Sequence, residues 1–202
     1  MAMANATGAF GLRPIRNKDG SAWNGATIPM YVSASYATAM YVGEPVLLSP
    51  TLAEKDTTGR YLTINASAGT DGAIILGVIT SFEPLVTDLS KVYNPASTER
   101  IANVVLAKDV VFEVRGSGTA LTKAIPGQNA VLTGSGGSTV TGLSSKYLAE
   151  SGTVPAADQS YPLFVLGVKD VEDNTLAASA VYEVLINTAE NATGAILGVT
   201  AS

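Results

Sequence analysis

Two glutamates are the residues best placed for acid–base chemistry. Glu113 lies in the run FEVRG and Glu183 in YEVLI. Facing each other across a groove, such a pair could hydrolyse a glycosidic bond. Alternation argues otherwise. Phe112 and Val114 flank Glu113, and Tyr182 and Val184 flank Glu183, so half-buried strands would turn the apolar residues inward and the glutamates to solvent. The solvent-facing reading is the stronger. The chain has no cysteine and no histidine, which excludes disulfides, thiolate nucleophiles, imidazole bases and zinc fingers.

Two further motifs fall short of a binding site. The run DVEDN at 170–174 resembles half of a calcium loop, but Thr175 and Val181 stand where an EF-hand requires glycine and glutamate. A solvated acidic turn is the better reading. The stretch LTGSGGSTVTGLSS at 132–145 lacks the lysine of a phosphate loop, so it reads as a flexible loop or a tightly turned hairpin. No motif calls for a cofactor or a metal.

Residues 8–25, GAFGLRPIRNKDGSAWNG, carry a different signal. Phe10, Leu12, Ile15 and Trp23 want burial, yet they follow neither a helical nor a strand period, and glycines and Pro14 interrupt them. Anchors without a period suggest an arm ordered against something else. Fully extended, 25 residues reach about 80 Å at roughly 3.3 Å each, enough to cross a neighbouring subunit. Wrapping of the segment on its own domain is the alternative.

Composition sets the frame. The 202 residues suffice for one sizeable domain. Charged residues make up 14% of the chain against a usual share of about 25%, and apolar residues 47%, so small polar residues must cover much of the surface. A net charge of -5 argues against a general nucleic-acid binder. Residues 1–25 carry three bases against one acid, and residues 150–202 seven acids against one base. No apolar run approaches the roughly 20 residues of a membrane span. The N-terminus lacks the apolar stretch of a signal peptide, so export by that route is not expected.

The elements that must position these residues are strands. Runs at 28–34, 41–48, 60–64, 73–82, 100–107, 110–114, 129–133, 162–171 and 181–187 are rich in β-branched and aromatic residues, with turn residues between them. The best helical candidates, 86–93 and 174–180, are short, and residues 35–40 could form one helical turn. Leu-Gly-Val recurs at 76–78, 166–168 and 197–199, at unequal intervals that favour chance over a repeat. The expectation is an all-β sandwich or barrel. An extended N-terminal arm over 1–27 precedes a β-rich body over 28–202.

The segment MANATGAFGLRPIRNKDGSAWNGAT, followed by YATAMYVGEPVLLS, ILGVITSFEP, YNPASTERIANV, DVVFEV and FVLGVKDVEDN, resembles the capsid decoration, or cement, proteins of tailed bacteriophages. The likeness runs from about residue 3 to 187. It implies a β-rich body, a jelly roll or related barrel, and a non-enzymatic structural protein, made in the bacterial cytoplasm and placed on the outer capsid surface of the virion. There it would clamp adjacent subunits of the major capsid protein, as a homotrimer or alternatively a dimer, without direct nucleic-acid or membrane contact. By the same resemblance, Phe10, Leu12, Arg13, Pro14, Arg16, Trp23 and Asn24 would contact the capsid or a sister protomer. It offers no catalytic, cofactor or metal residues. Two other classes compete: a receptor- or glycan-binding fibre protein using Tyr93 and Tyr161, and a polysaccharide-cleaving enzyme using Glu113 and Glu183.

Overall fold

The strands form where β-branched and aromatic residues cluster between turn residues. A computed structural model describes residues 5–51, 54–118, 123–150 and 155–189. Among these residues the chain is all-β. The strands are β1 (Leu12–Asn17), β2 (Ile28–Val32), β3 (Pro45–Leu48), β4 (Ile64–Ala66), β5 (Gly77–Phe82) and β6 (Arg100–Leu106). They continue with β7 (Val110–Arg115), β8 (Asn129–Ala130), β9 (Leu132–Thr133), β10 (Tyr147–Leu148), β11 (Leu163–Val168) and β12 (Val181–Ile186).

One antiparallel sheet has the order β2-β6-β5-β3-β4. A parallel bridge from Tyr31 to Thr63, with the Tyr31 amide donating to the Leu62 carbonyl, brings the residues before β4 back against β2. The sheet thus curls nearly into a closed barrel around Met30, Val32, Met40, Val46, Ile64, Leu76, Ile79, Ala102 and Val104. A second antiparallel sheet, β1-β7-β12-β11-β8, covers the outside of one barrel wall, and a small β9-β10 hairpin stands beside it.

That wall explains the continuous apolar runs of β5 and β6. Ile79 and Val104 face the barrel interior, while Val78 and Val105 face the second core, with Leu12, Phe112, Val114, Tyr182 and Val184. Strands buried on both faces have no polar face to show.

Within the expected arm, Leu12–Asn17 form β1 and pair with β7 of the same chain, Leu12 opposite Val114 and Asn17 opposite Val110. The register slips between Pro14 and Arg16. A bulge at Ile15 breaks the alternation, so the strand shows no period in its sequence. Pro14 is tolerated because β1 is an edge strand.

Residues 86–93 and 174–180 are turns rather than helices. Asp88 accepts from the amide and hydroxyl of Ser90, and Asn174 spends its side chain on Lys169 and Val181. These local bonds compete with helical ones. The run at 60–64 pairs late because Asp56 gathers the amides of Thr58, Arg60 and Tyr61 into a loop. Gly167 sits at a bulge in β11, while Gly77 packs hard against the Val105 carbonyl of β6, so the two Leu-Gly-Val runs are not equivalent. The third run lies outside the described residues.

Candidate functional site

β1 carries the candidate contact residues to two different places. Leu12 points into the core between the sheets. Phe10, just before the strand, is buried beneath two guanidinium groups, with Arg13 4.5 Å and Arg115 5.5 Å from its ring centre. Such stacking both shields the ring and adds a cation–π attraction. Burial also pulls the Arg115 guanidinium below its ordinary pKa, and Arg115 donates to the carbonyls of Ala6 and Ser179.

The outer face of the covering sheet holds a row of charge. Register places Arg13 beside Glu113, Glu113 beside Glu183, and Glu183 beside Gly167. Two like charges directly opposite would repel; here each carboxylate has a cation. Arg13 reaches Glu113 at 3.1 Å, Lys169 reaches its other oxygen at 2.5 Å, and Arg16 reaches Glu183 at 2.7 Å. The Glu113 side chain is only 5% exposed, so cations cover it instead of solvent. Phe112, Val114, Tyr182 and Val184 do face the core, as the alternation requires. Both carboxylates are committed to ion pairs, and neither lines the clefts described next.

Those clefts follow the seam between the sheets. One, of about 270 Å³, is lined by Phe10, Leu12, Arg13, Pro14 and Trp23 on one side and Val42, Gly43, Ile79, Thr80 and Leu143 on the other. It therefore gathers five of the seven candidate residues. Arg16 and Asn24 lie apart: Arg16 holds Glu183, and Asn24 accepts the Ala26 amide at 3.1 Å. Val42, Thr80 and Leu143 continue into a second cleft of about 430 Å³ with Phe82, Pro84, Leu89 and Val92. On its far side Trp23 lines a third, of about 530 Å³, with Ile28, Val104, Leu106 and Val110. The middle of this groove rests on a close crossing. A Cβ on Gly11 would stand 2.2 Å from the Gly43 carbonyl oxygen, and one on Gly43 would stand 2.3 Å from that of Phe10.

The loops that bring Leu89 and Thr141 to the second cleft carry further exposed apolar side chains. Val86 is 92% exposed, Leu89 78% and Val140 85%. The 138–143 turn carrying Val140 is tight, with Ser138 and Leu143 bonded at 2.9 Å and Gly142 and Ser138 at 2.8 Å, so the hairpin reading of that glycine-rich stretch holds there. Its Gly142 abuts Val92. Val86 and Leu89 fall in the run expected to be helical and Val140 in the glycine-rich stretch, and beyond being apolar nothing in the sequence marks them as exposed. Tyr93 is half-buried and stacked on Tyr41 at 5.3 Å, and Tyr161 is half-buried, so neither stands out as a free aromatic platform.

Beneath the groove, the Glu44 side chain is buried, with Oε2 accepting the Tyr41 amide at 2.9 Å. Burial pushes its carboxyl up to about 7, against the opposing pull of that hydrogen bond and of Lys146. Burial likewise lowers the Lys146 ammonium. Among the described residues, no group of three or more acidic side chains could hold a metal ion.

The fold and the groove define a class: an all-β protein with a nearly closed barrel, a covering sheet, and an open apolar seam between them. No protein-family model, no curated protein and no solved structure matches the chain.

Proposed function

We propose that this is a non-enzymatic structural protein of a bacteriophage virion that docks on the outer capsid surface and cements adjacent major capsid subunits. The supporting observation is the groove. Phe10, Pro14 and Trp23 line a seam that runs into Leu89 and Val92, which are apolar and open to water. Contiguous exposed apolar surface of this kind marks contact between proteins. Its walls are hydrocarbon and aromatic, with Arg13, Lys91 and Arg100 the cations along two of its clefts. That suits an apolar ridge with an acidic rim on a partner protein.

In this reading the body acts as a related β-barrel of the jelly-roll kind expected for cement proteins, assembled as a homotrimer, and the residues from Phe10 to Trp23 are its grip. The charged row on the covering sheet stiffens β1, which holds Phe10 and Pro14 in place. The test is co-sedimentation of the full chain with empty capsid shells of the phage that encodes it, alongside a Leu89→Asp, Val86→Asp variant. Binding by the parent and not by the variant supports the proposal. Attachment to host cells but not to shells would favour the fibre-protein reading instead.

A further inference from the structure

Arg100 opens β6 in step with Ala102 and Val104, which face the barrel interior. Alternation therefore draws its stem inward, and the residue is buried. The guanidinium lies over Phe82, with Cζ 5.2 Å from the ring centre. It donates to three backbone carbonyls: Nε to Glu83 at 2.6 Å, Nη1 to Tyr93 at 2.7 Å and Nη2 to Lys91 at 3.0 Å. These bonds staple the loop between β5 and β6. A guanidinium carries five N–H groups, so one on each Nη is left over.

Among the described residues no carboxylate answers that charge. The ion pairs there belong to Arg13, Arg16, Lys91 and Lys169, and Arg100 has none. Glu83 offers Arg100 its carbonyl while the residue itself is exposed, and Glu99, next in sequence, turns to the Tyr31 hydroxyl. Burial pulls the guanidinium below its ordinary pKa, and no acid pulls it back. Buried arginines are almost always paired. In a chain of net charge -5, a buried cation left without an acid is a departure.

Arg100 lines the cleft of about 430 Å³ together with Lys91, whose Nζ stands 3.5 Å from Asp88 at the rim. Leu89, Val92 and Leu143 supply apolar wall, and none of the described residues lining the cleft is acidic. Two cations set among hydrocarbon complement a carboxylate carried on an apolar segment. We propose that the cleft receives the carboxylate of an aspartate or glutamate from a docked protein. That group accepts the remaining Arg100 N–H bonds, and its apolar neighbours rest on Leu89 and Val92. The inference rests on the reading of the seam as a protein-docking surface and names the group that the seam grips.

A short peptide tests it without any capsid. Acetyl-Leu-Glu-Leu-amide is titrated into the full chain, with acetyl-Leu-Gln-Leu-amide alongside, and NMR follows the Arg100 Nε–H and the methyl groups of Leu89 and Val92. The glutamate peptide should shift all three saturably and bind about tenfold tighter than the glutamine peptide, an advantage that about 0.5 M salt should cut severalfold. Arg100→Met should abolish the preference. Because that change also removes the staple, Lys91→Met is the second variant. It leaves in place the backbone carbonyl that Arg100 uses, and it should weaken the glutamate peptide about threefold and the glutamine peptide little. Equal affinity for the two peptides overturns the proposal, as do shifts confined to residues outside the cleft, binding by neither peptide in the millimolar range, or a preference that survives both substitutions. The capsid reading fails separately. A glutamate preference without co-sedimentation on shells would keep the carboxylate site and strike the capsid, and co-sedimentation without a preference would strike the carboxylate alone.

Discussion

Replacing Glu44 by glutamine probes a buried charge directly beneath the groove. The side chain sits in the loop whose Gly43 carbonyl accepts the Leu12 amide at 2.8 Å, so its energetics bear on how firmly β1 is held. Burial raises its carboxyl from 4.5 to about 7. Between those values the folded chain keeps a proton that the unfolded chain has released, and unfolding free energy therefore falls as pH rises through that window. At about 1.36 kcal/mol per pH unit, the accumulated penalty reaches about 3 kcal/mol by pH 8. Glutamine keeps the shape and the acceptor for Tyr41 and cannot ionise. Glu44→Gln should thus match the parent near pH 4.5 and exceed it at pH 8 by about 3 kcal/mol, the attraction to Lys146 being already contained in the shifted value. Urea unfolding of both proteins from pH 4.5 to 8, read by Trp23 fluorescence, gives the difference directly. Parallel curves would mean that Glu44 does not titrate in this range. A variant weaker at pH 8 would mean that attraction to Lys146 outweighs desolvation, and the reasoning would be wrong in sign.

Four other perturbations follow from the geometry. Gly11→Ala forces a Cβ against the Gly43 carbonyl at a φ of 70° and should cost about 2 kcal/mol or more, seen as a lower Tm; an unchanged Tm would deny the crossing. Glu113→Ala strands Arg13 and Lys169 and should cost about 1–3 kcal/mol in urea unfolding, a double-mutant cycle with Lys169→Met isolating the pair. Deleting residues 3–25 removes β1 and uncovers the Val114 and Val78 side of the core, so the shortened chain should aggregate, with loss of near-ultraviolet circular dichroism; a soluble, cooperatively folding product would make β1 dispensable. If Leu89 is buried on assembly, Leu89→Asp should weaken it by about 2 kcal/mol, roughly thirtyfold in Kd by light scattering or sedimentation.

The strands are legible wherever burial follows a simple rule. β6, β7, β11 and β12 alternate or run apolar without interruption, and their positions can be read from residue types alone. β1 cannot be, because the bulge at Ile15 puts its inward residues out of step. β10 cannot be either, since Tyr147–Leu148 is too short to show a period. The groove is half legible. Phe10, Pro14 and Trp23 declare themselves as anchors, but the opposite wall comes from Val42, Ile79 and Leu143, which only the sheet order brings together. The glutamate pair shows the same limit. Alternation correctly turns Glu113 away from the core, yet its shielding by Arg13 and Lys169 depends on β1 and β11 flanking β7 and β12, and no local pattern encodes that order.

The doubly buried wall accounts for where the open surface lies. Over Val78–Ile79 and Val104–Val105, where β5 and β6 serve two cores at once, neither strand has a face left for a partner, and only their ends and the seam beside them remain available. The seam is where the barrel and the covering sheet diverge, at Gly11 and Gly43 on one side and past Ile28 on the other. Apolar residues collect there because both cores reach the surface at that line. A ligand seated in the seam would touch both sheets and so resist their separation. Occupancy of any of its three clefts should therefore raise the stability of the whole body, by an amount set by ligand concentration over Kd. If binding raised the exchange protection of one sheet and left the other unchanged, the two cores would not be coupled through β5 and β6.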